Sequence, residues 1–178
     1  MHNLARVSQW ALVVAVLSTG VISRAEADSS GGGQSQSNPG VEPKPFQVPN
    51  EHAAMREAVA KARKTVGEFI DALQHPTAGE GDFEVKKPFV QKGDVEHIWL
   101  SEVTFVGGHF QGKVDNEPSK IQGLKLGQVV SVNPDEISDW IYIKNGKLVG
   151  GYTIRAHYNE LTPEQKQEFD RSADFRMK

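Results

Sequence analysis

The feature that most constrains the fold is the dipeptide Asn145-Gly146, which separates two runs rich in β-branched and aromatic residues. A two-residue Asn-Gly loop accepts the positive φ angles of a type I′ turn, whose twist matches that of paired antiparallel strands. The segment 135–158 (DEISDWIYIKNGKLVGGYTIRAHY) is therefore predicted to form a β-hairpin. Counted outward from the turn, the facing residues are Ile143 and Leu148, Tyr142 and Val149, Ile141 and Gly150, Trp140 and Gly151, Asp139 and Tyr152, and Glu136 and Arg155.

Alternation of side chains divides this predicted hairpin into two faces. The face expected to join the core carries Ile137, Asp139, Ile141, Ile143, Leu148, Tyr152 and Ile154. The opposite face, expected to be solvated or to face a ligand, carries Glu136, Ser138, Trp140, Tyr142, Lys144, Lys147, Val149, Thr153, Arg155 and His157. A bulge at Gly150-Gly151 would exchange the two faces beyond it.

The remaining elements are predicted from periodicity and from turn residues. Apolar residues at spacings of three and four predict one helix from Asn50 to about Gln74. Strands are expected at 83–90, 96–106, 109–116 and 128–132, the first at a sheet edge because Pro88 lacks a ladder donor. Gly107-Gly108 is expected to join a second hairpin that pairs Val106 with His109, Phe105 with Phe110 and Glu102 with Lys113. The sequence Thr162-Pro163-Glu164-Gln165 predicts a capping box that opens a final helix.

These elements predict the fold class: an α+β domain with a mainly antiparallel sheet of about five strands, an N-terminal helix and a C-terminal helix. Residues 50–178 are expected to form this single domain. Residues 28–49, rich in Gly, Ser and Pro, are expected to be a disordered linker.

The first 27 residues have the pattern of a secretory signal peptide. Arg6 provides a basic start, residues 10–17 (WALVVAVL) an apolar run, and residues 25–27 (AEA) a small-residue cleavage site near Ala27. The apolar run is shorter than the roughly 20 residues that span a bilayer. We therefore expect export to the periplasm or the extracellular space, with no stable membrane anchor after cleavage.

Composition excludes several classes of function. The chain has no cysteine, so disulfides, a thiolate nucleophile and Cys-ligated zinc are excluded. Its 20 basic and 23 acidic residues give a net charge of −3, which argues against nucleic acid as a partner. No phosphate-binding loop or metal-ligand spacing is present, so neither a cofactor nor a metal site is predicted.

Several short segments of the chain form a pattern: Ala62-Arg63, Phe69, Phe83, Lys86, 97–100 (HIWL), Phe110, Gly112, Asn116, Pro118, 123–127 (GLKLG), 137–140 (ISDW) and 150–155 (GGYTIR). In these segments the chain resembles the YegJ-like family of bacterial proteins of unknown function, the domain of unknown function DUF2314. The resemblance implies a single α+β domain and names no ligand. Small domains of similar appearance occur as immunity-type partners of toxins. Gln128 stands where the family pattern has an acidic residue.

Catalytic residues cannot be assigned from this pattern. Asp139, with Tyr152, is the candidate for a buried polar pair, and a buried carboxylate with a shifted pKa can act as an acid or base. A small hydrolase that uses Asp139 with a histidine is therefore one hypothesis. The alternative is that Asp139 accepts backbone N–H groups or the Tyr152 hydroxyl and fixes the hairpin.

The leading hypothesis is a non-catalytic module that binds a protein or a small ligand in the cell envelope. Trp, Tyr and Arg anchor many interfaces. The candidate binding residues are Trp140, Tyr142, Arg155, His157, Trp99 and His97. The alternative for Trp140 and Tyr142 is that a terminal helix covers them and makes them part of the core.

Overall fold

The computed structural model describes residues 50–177, with side chains described from residue 53 onward. The predicted signal peptide and linker lie outside these residues. In chain order the elements are α1 (Asn50–Lys64), α2 (Val66–Gln74), β1 (Glu80–Gln91), β2 (Asp94–Val106), β3 (His109–Val114), β4 (Val129–Val132), β5 (Asp139–Lys144), β6 (Lys147–Gly150), α3 (Tyr152–Glu160) and α4 (Pro163–Ser172). The predicted α+β class is confirmed.

The strands form one antiparallel sheet in the order β4-β3-β2-β1-β5-β6, which has six strands where about five were expected. The hairpin at Asn145-Gly146 has the predicted register from Lys144–Lys147 to Ile141–Gly150. In the β2–β3 hairpin a bulge at Glu102 shifts the register, so that Lys113 faces Ser101 instead. The Lys113 ammonium still reaches the Glu102 carboxylate at 2.6 Å.

The edge position predicted for the Pro88 strand is wrong, because β1 lies between β2 and β5. The β1–β5 ladder ends at the pair Lys86–Asp139, whereas the β1–β2 ladder continues to Gln91–Asp94. Pro88 therefore lies in a stretch of β1 that is paired on one side only, where its missing N–H removes no bond to β5.

The single N-terminal helix that was predicted is interrupted at Thr65. Its hydroxyl donates to the carbonyl of Lys61 at 2.9 Å and contacts the Tyr152 hydroxyl at 3.0 Å. A threonine hydroxyl bonded to the preceding turn competes with regular helix geometry. The break directs both halves onto the sheet, where Ala62 and Phe69 are fully buried.

The predicted strand beyond Gly150 is also wrong, because α3 begins at Tyr152. Gly150 and Gly151 both have positive φ angles, and the Gly151 N–H donates to the carbonyl of Trp140 at 2.9 Å. This left-handed pair turns the chain out of the sheet. Thr153, Arg155 and His157 consequently lie on a helix and not on a hairpin face.

Hydrophobic residues pack on both faces of the sheet. The first face carries Val85, Ile98, Leu100, Phe110, Val114, Val132 and Trp140, packed against Ala62 of α1 and Phe69 of α2. The second face carries Trp99, Ile141 and Leu148, packed against Ile154, Leu161, Phe169 and Phe175. The predicted final helix is confirmed as α4, with Thr162 and Gln165 forming its capping box.

Candidate functional site on the β1–β2 hairpin

Trp140 and Tyr142 belong to the core beneath the N-terminal helices. Trp140 is 1% exposed, and its indole N–H donates to the carbonyl of Ala62 at 3.0 Å. The Tyr142 ring is half-buried and stacks on Phe83 with a centroid distance of 5.1 Å. The structure therefore places these two aromatic residues against α1 and α2 and not on an open surface.

Arg155 holds the C-terminal part of the chain together. Its guanidinium donates three hydrogen bonds, to the carbonyls of Gly150 at 2.9 Å, Met177 at 2.7 Å and Leu148 at 2.7 Å. His157, one half-turn further along α3, is half-buried, and its Nε2 is buried with no hydrogen-bond partner among residues 53–177. The predicted hairpin placed Arg155 and His157 on one strand face with Trp140. In the structure both residues belong to α3 instead.

Asp139 is fully buried and caps the start of α3. One carboxylate oxygen accepts the N–H groups of Trp140 at 2.9 Å and Tyr152 at 3.0 Å. The other accepts the N–H of Thr153 at 2.8 Å and its hydroxyl at 2.6 Å. Burial raises the pKa of Asp139, and the bonds from Thr153 and Trp140 oppose that rise. The Tyr152 hydroxyl contacts Thr65, so Asp139 and Tyr152 meet only through the Tyr152 backbone.

Lys86 lies beside Asp139 and Trp99 in the sheet register, between β5 and β2. Its ammonium nitrogen lies 5.3 Å from the centroid of the Trp99 ring, a favourable arrangement for a cation and an aromatic face. Burial lowers the pKa of Lys86, and the charge of Asp139 partly offsets this effect. Within the part of the chain that the structure describes, this half-buried ammonium makes no hydrogen bond or ion pair.

His97 lies opposite Pro88 in the β1–β2 ladder, on the same face as Lys86 and Trp99 and two residues closer to the hairpin turn. Its side chain is partly exposed to solvent, and Nδ1 lies 2.9 Å from the hydroxyl of Ser138. Partial burial of the ring and the positive charge of Lys86 lower the pKa of His97. The structure thus brings His97, Trp99 and Asp139 to one face around Lys86.

The tip of the β1–β2 hairpin extends this arrangement with two exposed valines. Val90 and Val95 face each other across the hairpin and are 71% and 47% exposed. Alternation along both strands puts them on the same face as Lys86, Pro88 and His97. We call these five residues the hairpin-tip surface.

The opposite face of the same hairpin is covered by the loop 115–128. Glu96 accepts backbone N–H groups from Ser119 and Lys120, and Gln91 exchanges two hydrogen bonds with Gln122. Leu124 and Phe89 pack against the core of the first face. Only one face of this projecting hairpin is therefore open, and it is the face with Lys86 and His97.

The geometry does not assemble a hydrolytic centre around Asp139. Both of its oxygens are engaged at the start of α3, and the histidine that lies nearby contacts Ser138. Ser138 is itself 1% exposed, so a substrate could not reach its hydroxyl without a rearrangement. Among residues 53–177 no group of three His, Asp or Glu side chains is placed to hold a metal ion.

The sequence analysis named Lys86 only in the family resemblance, and it assigned neither Lys86 nor Val90 and Val95 to a candidate site. The edge position assigned to β1 hid the fact that Lys86 lies between two strands. The alternation of Lys86, Pro88 and Val90, read together with Val95 and His97 across the turn at Lys92-Gly93, was the available signal.

The chain belongs to the DUF2314 family, described as an uncharacterized protein conserved in bacteria, whose model matches residues 52–176. It is 38% identical over 101 residues to the uncharacterized protein YegJ of Escherichia coli (strain K12), covering 57% of this chain and 65% of that protein. It is 38% identical over 133 residues to a putative ankyrin repeat protein of Neisseria meningitidis serogroup B, covering 70% of this chain and 53% of that protein.

The chain therefore spans just under two thirds of the first relative and about half of the second. No solved structure matches the chain. Among the helices of residues 50–177, none combines the length and the apolar character needed to cross a membrane.

Proposed function

We propose that this protein is an exported, non-catalytic binding module of the cell envelope, and that it contacts a protein or small ligand through the hairpin-tip surface. The observation that carries the proposal is the directly paired Val90 and Val95, both exposed, beside the partly exposed side chain of His97. Exposed apolar residues that are contiguous and rimmed by polar groups are typical of interaction sites.

The construction of the hairpin supports this proposal. The loop 115–128 and its hydrogen bonds to Glu96 and Gln91 stiffen the hairpin from behind. A rigid support lowers the entropy that a surface loses on binding. Export is supported by the leader pattern of residues 1–27. A role without catalysis by Asp139 is supported by its carboxylate, whose two oxygens both accept hydrogen bonds at the start of α3.

Affinity capture with matched variants tests the proposal. The baits are the mature chain from Asp28, the double variant Val90→Ser/Val95→Ser, and the control Val106→Ser. Val106 is 65% exposed and ends β2 at a hairpin turn, whereas Val90 is 71% exposed and lies one residue before the end of β1, so the two are similar in exposure and position. We expect the parent and the control to capture the same partner from an envelope extract, and the double variant to lose it.

Capture of the same partner by all three baits would contradict the proposal. Circular dichroism and urea unfolding of each bait establish that it is folded. Since both valines of the pair are exposed, their replacement by serine is expected to change the free energy of unfolding by less than about 0.5 kcal/mol each.

A further inference from the structure

We infer that the β4 edge of the sheet is a self-association surface, at which two copies of this chain pair their β4 strands antiparallel about a two-fold axis. The inference goes beyond the proposed function, because it concerns another surface and another partner. It starts from a difference between the two edges of the sheet, which are β6 and β4.

The β6 edge is closed by the C-terminal tail and by Arg155. The Leu148 N–H donates to the carbonyl of Arg176 at 2.9 Å. The carbonyls of Leu148 and Gly150 both accept hydrogen bonds from the Arg155 guanidinium. These contacts occupy the outer side of β6, so a strand of another chain cannot pair along it.

The β4 edge, by contrast, is open within residues 50–177. The carbonyl of Gln128 accepts an N–H from the last residue of β3 at 2.9 Å. Bonds to one neighbour recur at every second residue of an antiparallel strand, so Val130 also bonds to β3. Val129 and Ser131 alternate with it and direct their N–H and C=O groups away from β3. Both residues are exposed, and such an edge is a template for a further strand.

One register lets a second copy satisfy all of these groups. Val129 of each chain lies opposite Ser131 of the other, and each of the two pairs exchanges two hydrogen bonds. Val130 then lies on the two-fold axis opposite its own equivalent. The strand 128–132 (QVVSV) has no charged side chain, so a copy brings no like charges together within it.

The neighbouring registers leave free groups without partners. Pairing centred on Val129 would set Ser131 opposite Gly127, whose N–H already donates to a carbonyl of β3 at 2.8 Å. Pairing centred on Ser131 would set Val129 opposite Asn133. The Asn133 N–H donates to the Glu136 carboxylate at 2.9 Å, and its carbonyl accepts the Glu136 N–H at 3.0 Å. The register centred on Val130 is therefore preferred.

Charges beyond the two ends of β4 complement each other in the same register. Lys125 precedes the strand and Asp135 follows it, at equal separations in sequence from Val130. Both side chains are exposed, and neither forms an ion pair among residues 53–177. An antiparallel copy brings the end with Lys125 toward the end with Asp135. A second copy of this chain thus fits the edge in hydrogen bonding and in charge.

Sedimentation velocity of the mature chain from Asp28, between about 10 µM and about 1 mM, tests the inference. An interface below roughly 1,200 Å² is weak, so we expect a reversible dimer with a Kd on the order of 100 µM. Ser131→Pro removes an outward N–H and no bond to β3, and it should weaken the dimer at least about tenfold. Ser131→Thr keeps the N–H and should dimerise like the parent.

Reversal of the end charges tests the register without changing the backbone. Lys125→Glu and Asp135→Lys, each alone, should weaken the dimer about fivefold, because like charges then meet at both ends. An equimolar mixture of these two variants should regain the parent's association, since each altered side chain then meets an opposite charge. Failure of the mixture to regain it would overturn the antiparallel register.

A monomer at every concentration would overturn the inference. So would a dimer that Ser131→Pro leaves intact and Val90→Ser/Val95→Ser abolishes, because self-association would then belong to the hairpin-tip surface. We expect that double variant to dimerise like the parent. The charge variants alter exposed side chains only, so they remain the folded test if Ser131→Pro does not fold.

Discussion

Asp139 accepts both the backbone N–H and the hydroxyl of Thr153 on one carboxylate oxygen, at 2.8 and 2.6 Å. The two residues belong to different elements, the first position of β5 and the first turn of α3. A carboxylate at a helix N-terminus satisfies N–H groups that have no partner within the helix. This relationship ends the sheet at Gly150 and fixes the direction of the helix that follows.

Asp139→Asn is expected to lower the free energy of unfolding by about 3 kcal/mol. The amide keeps one acceptor oxygen but turns an NH₂ group toward groups that are themselves donors, so a buried bond is lost. Urea unfolding measures the change, with Asp135→Asn, an exposed neighbour, as the control. Equal stability of the two variants would contradict the capping role.

Gly150→Ala is expected to destabilise the fold by about 4 kcal/mol, because the left-handed backbone and a steric overlap add together. Gly150 has a φ of 72°, and an added Cβ would overlap the carbonyl oxygen and the ring of Trp140. Gly146→Ala is the matched control, since its φ is 75° but the nearest atom lies 3.8 Å away. Its expected cost is about 1–2 kcal/mol. Similar thermal or urea midpoints for the two variants would argue against this packing.

Arg155→Lys is expected to loosen the C-terminal tail and to cost about 2 kcal/mol, because an ammonium cannot reproduce three hydrogen bonds in a planar fork. Amide hydrogen exchange should become faster at Leu148 and Arg176, whose backbone groups join the tail to β6. The control is Arg171→Lys, an exposed arginine of α4. Unchanged exchange at Leu148 in the Arg155 variant would refute the role of this clamp.

The pKa of His97 offers a test of its position beside Lys86. The folded chain holds this pKa below its ordinary value of about 6.5, so the unfolded chain binds the proton more readily. The stability contributed by the neutral ring is therefore complete above about pH 6.5 and is lost as the pH falls through the folded pKa. Between pH 7.5 and 5.5 the urea midpoint should fall more in the parent than in His97→Gln.

A titration of the His97 ring in variants of Lys86 measures how much Lys86 lowers the pKa of His97. Its charge is the second cause of the lowered pKa of His97, after burial of the ring. An NMR titration of Lys86→Gln should show a higher pKa for His97 than in the parent, and Lys92→Gln should leave that pKa where it was. If the pKa of His97 is the same in Lys86→Gln as in the parent, the charge of Lys86 does not reach the His97 ring, and the close placement of the two residues on the hairpin-tip surface is contradicted.

Local signals in the sequence were sufficient for the turns of the two hairpins and for the start of the last helix. Asn145-Gly146 determines its own turn type, and Thr162 with Gln165 forms a capping box without help from tertiary contacts. Both depend only on neighbouring residues, and both were predicted correctly. The fold class followed from the same elements.

The predictions that were wrong concern features that depend on contacts between residues far apart in the sequence. The helix at Tyr152 begins there because Asp139, thirteen residues earlier, caps it, and its residues have the β-favouring composition of a strand. The interior position of β1 depends on which strands pair across the whole sheet, which Pro88 alone cannot reveal. The position of Asp139 beside Lys86 follows from that pairing, whereas the grouping of Lys86 with His97 depends only on the local β1–β2 hairpin.

Site-specific photo-crosslinking tests the central claim most directly, since it reports contact at a chosen position in the envelope itself. A benzophenone amino acid replaces Val90 in one chain and Val106 in another, both at exposed ends of strands. We predict that position 90 yields a discrete crosslinked species that an excess of unlabelled parent protein abolishes, and that position 106 yields none. The same species from position 106, or no specific product from position 90, would contradict the assignment of the hairpin-tip surface as the binding site.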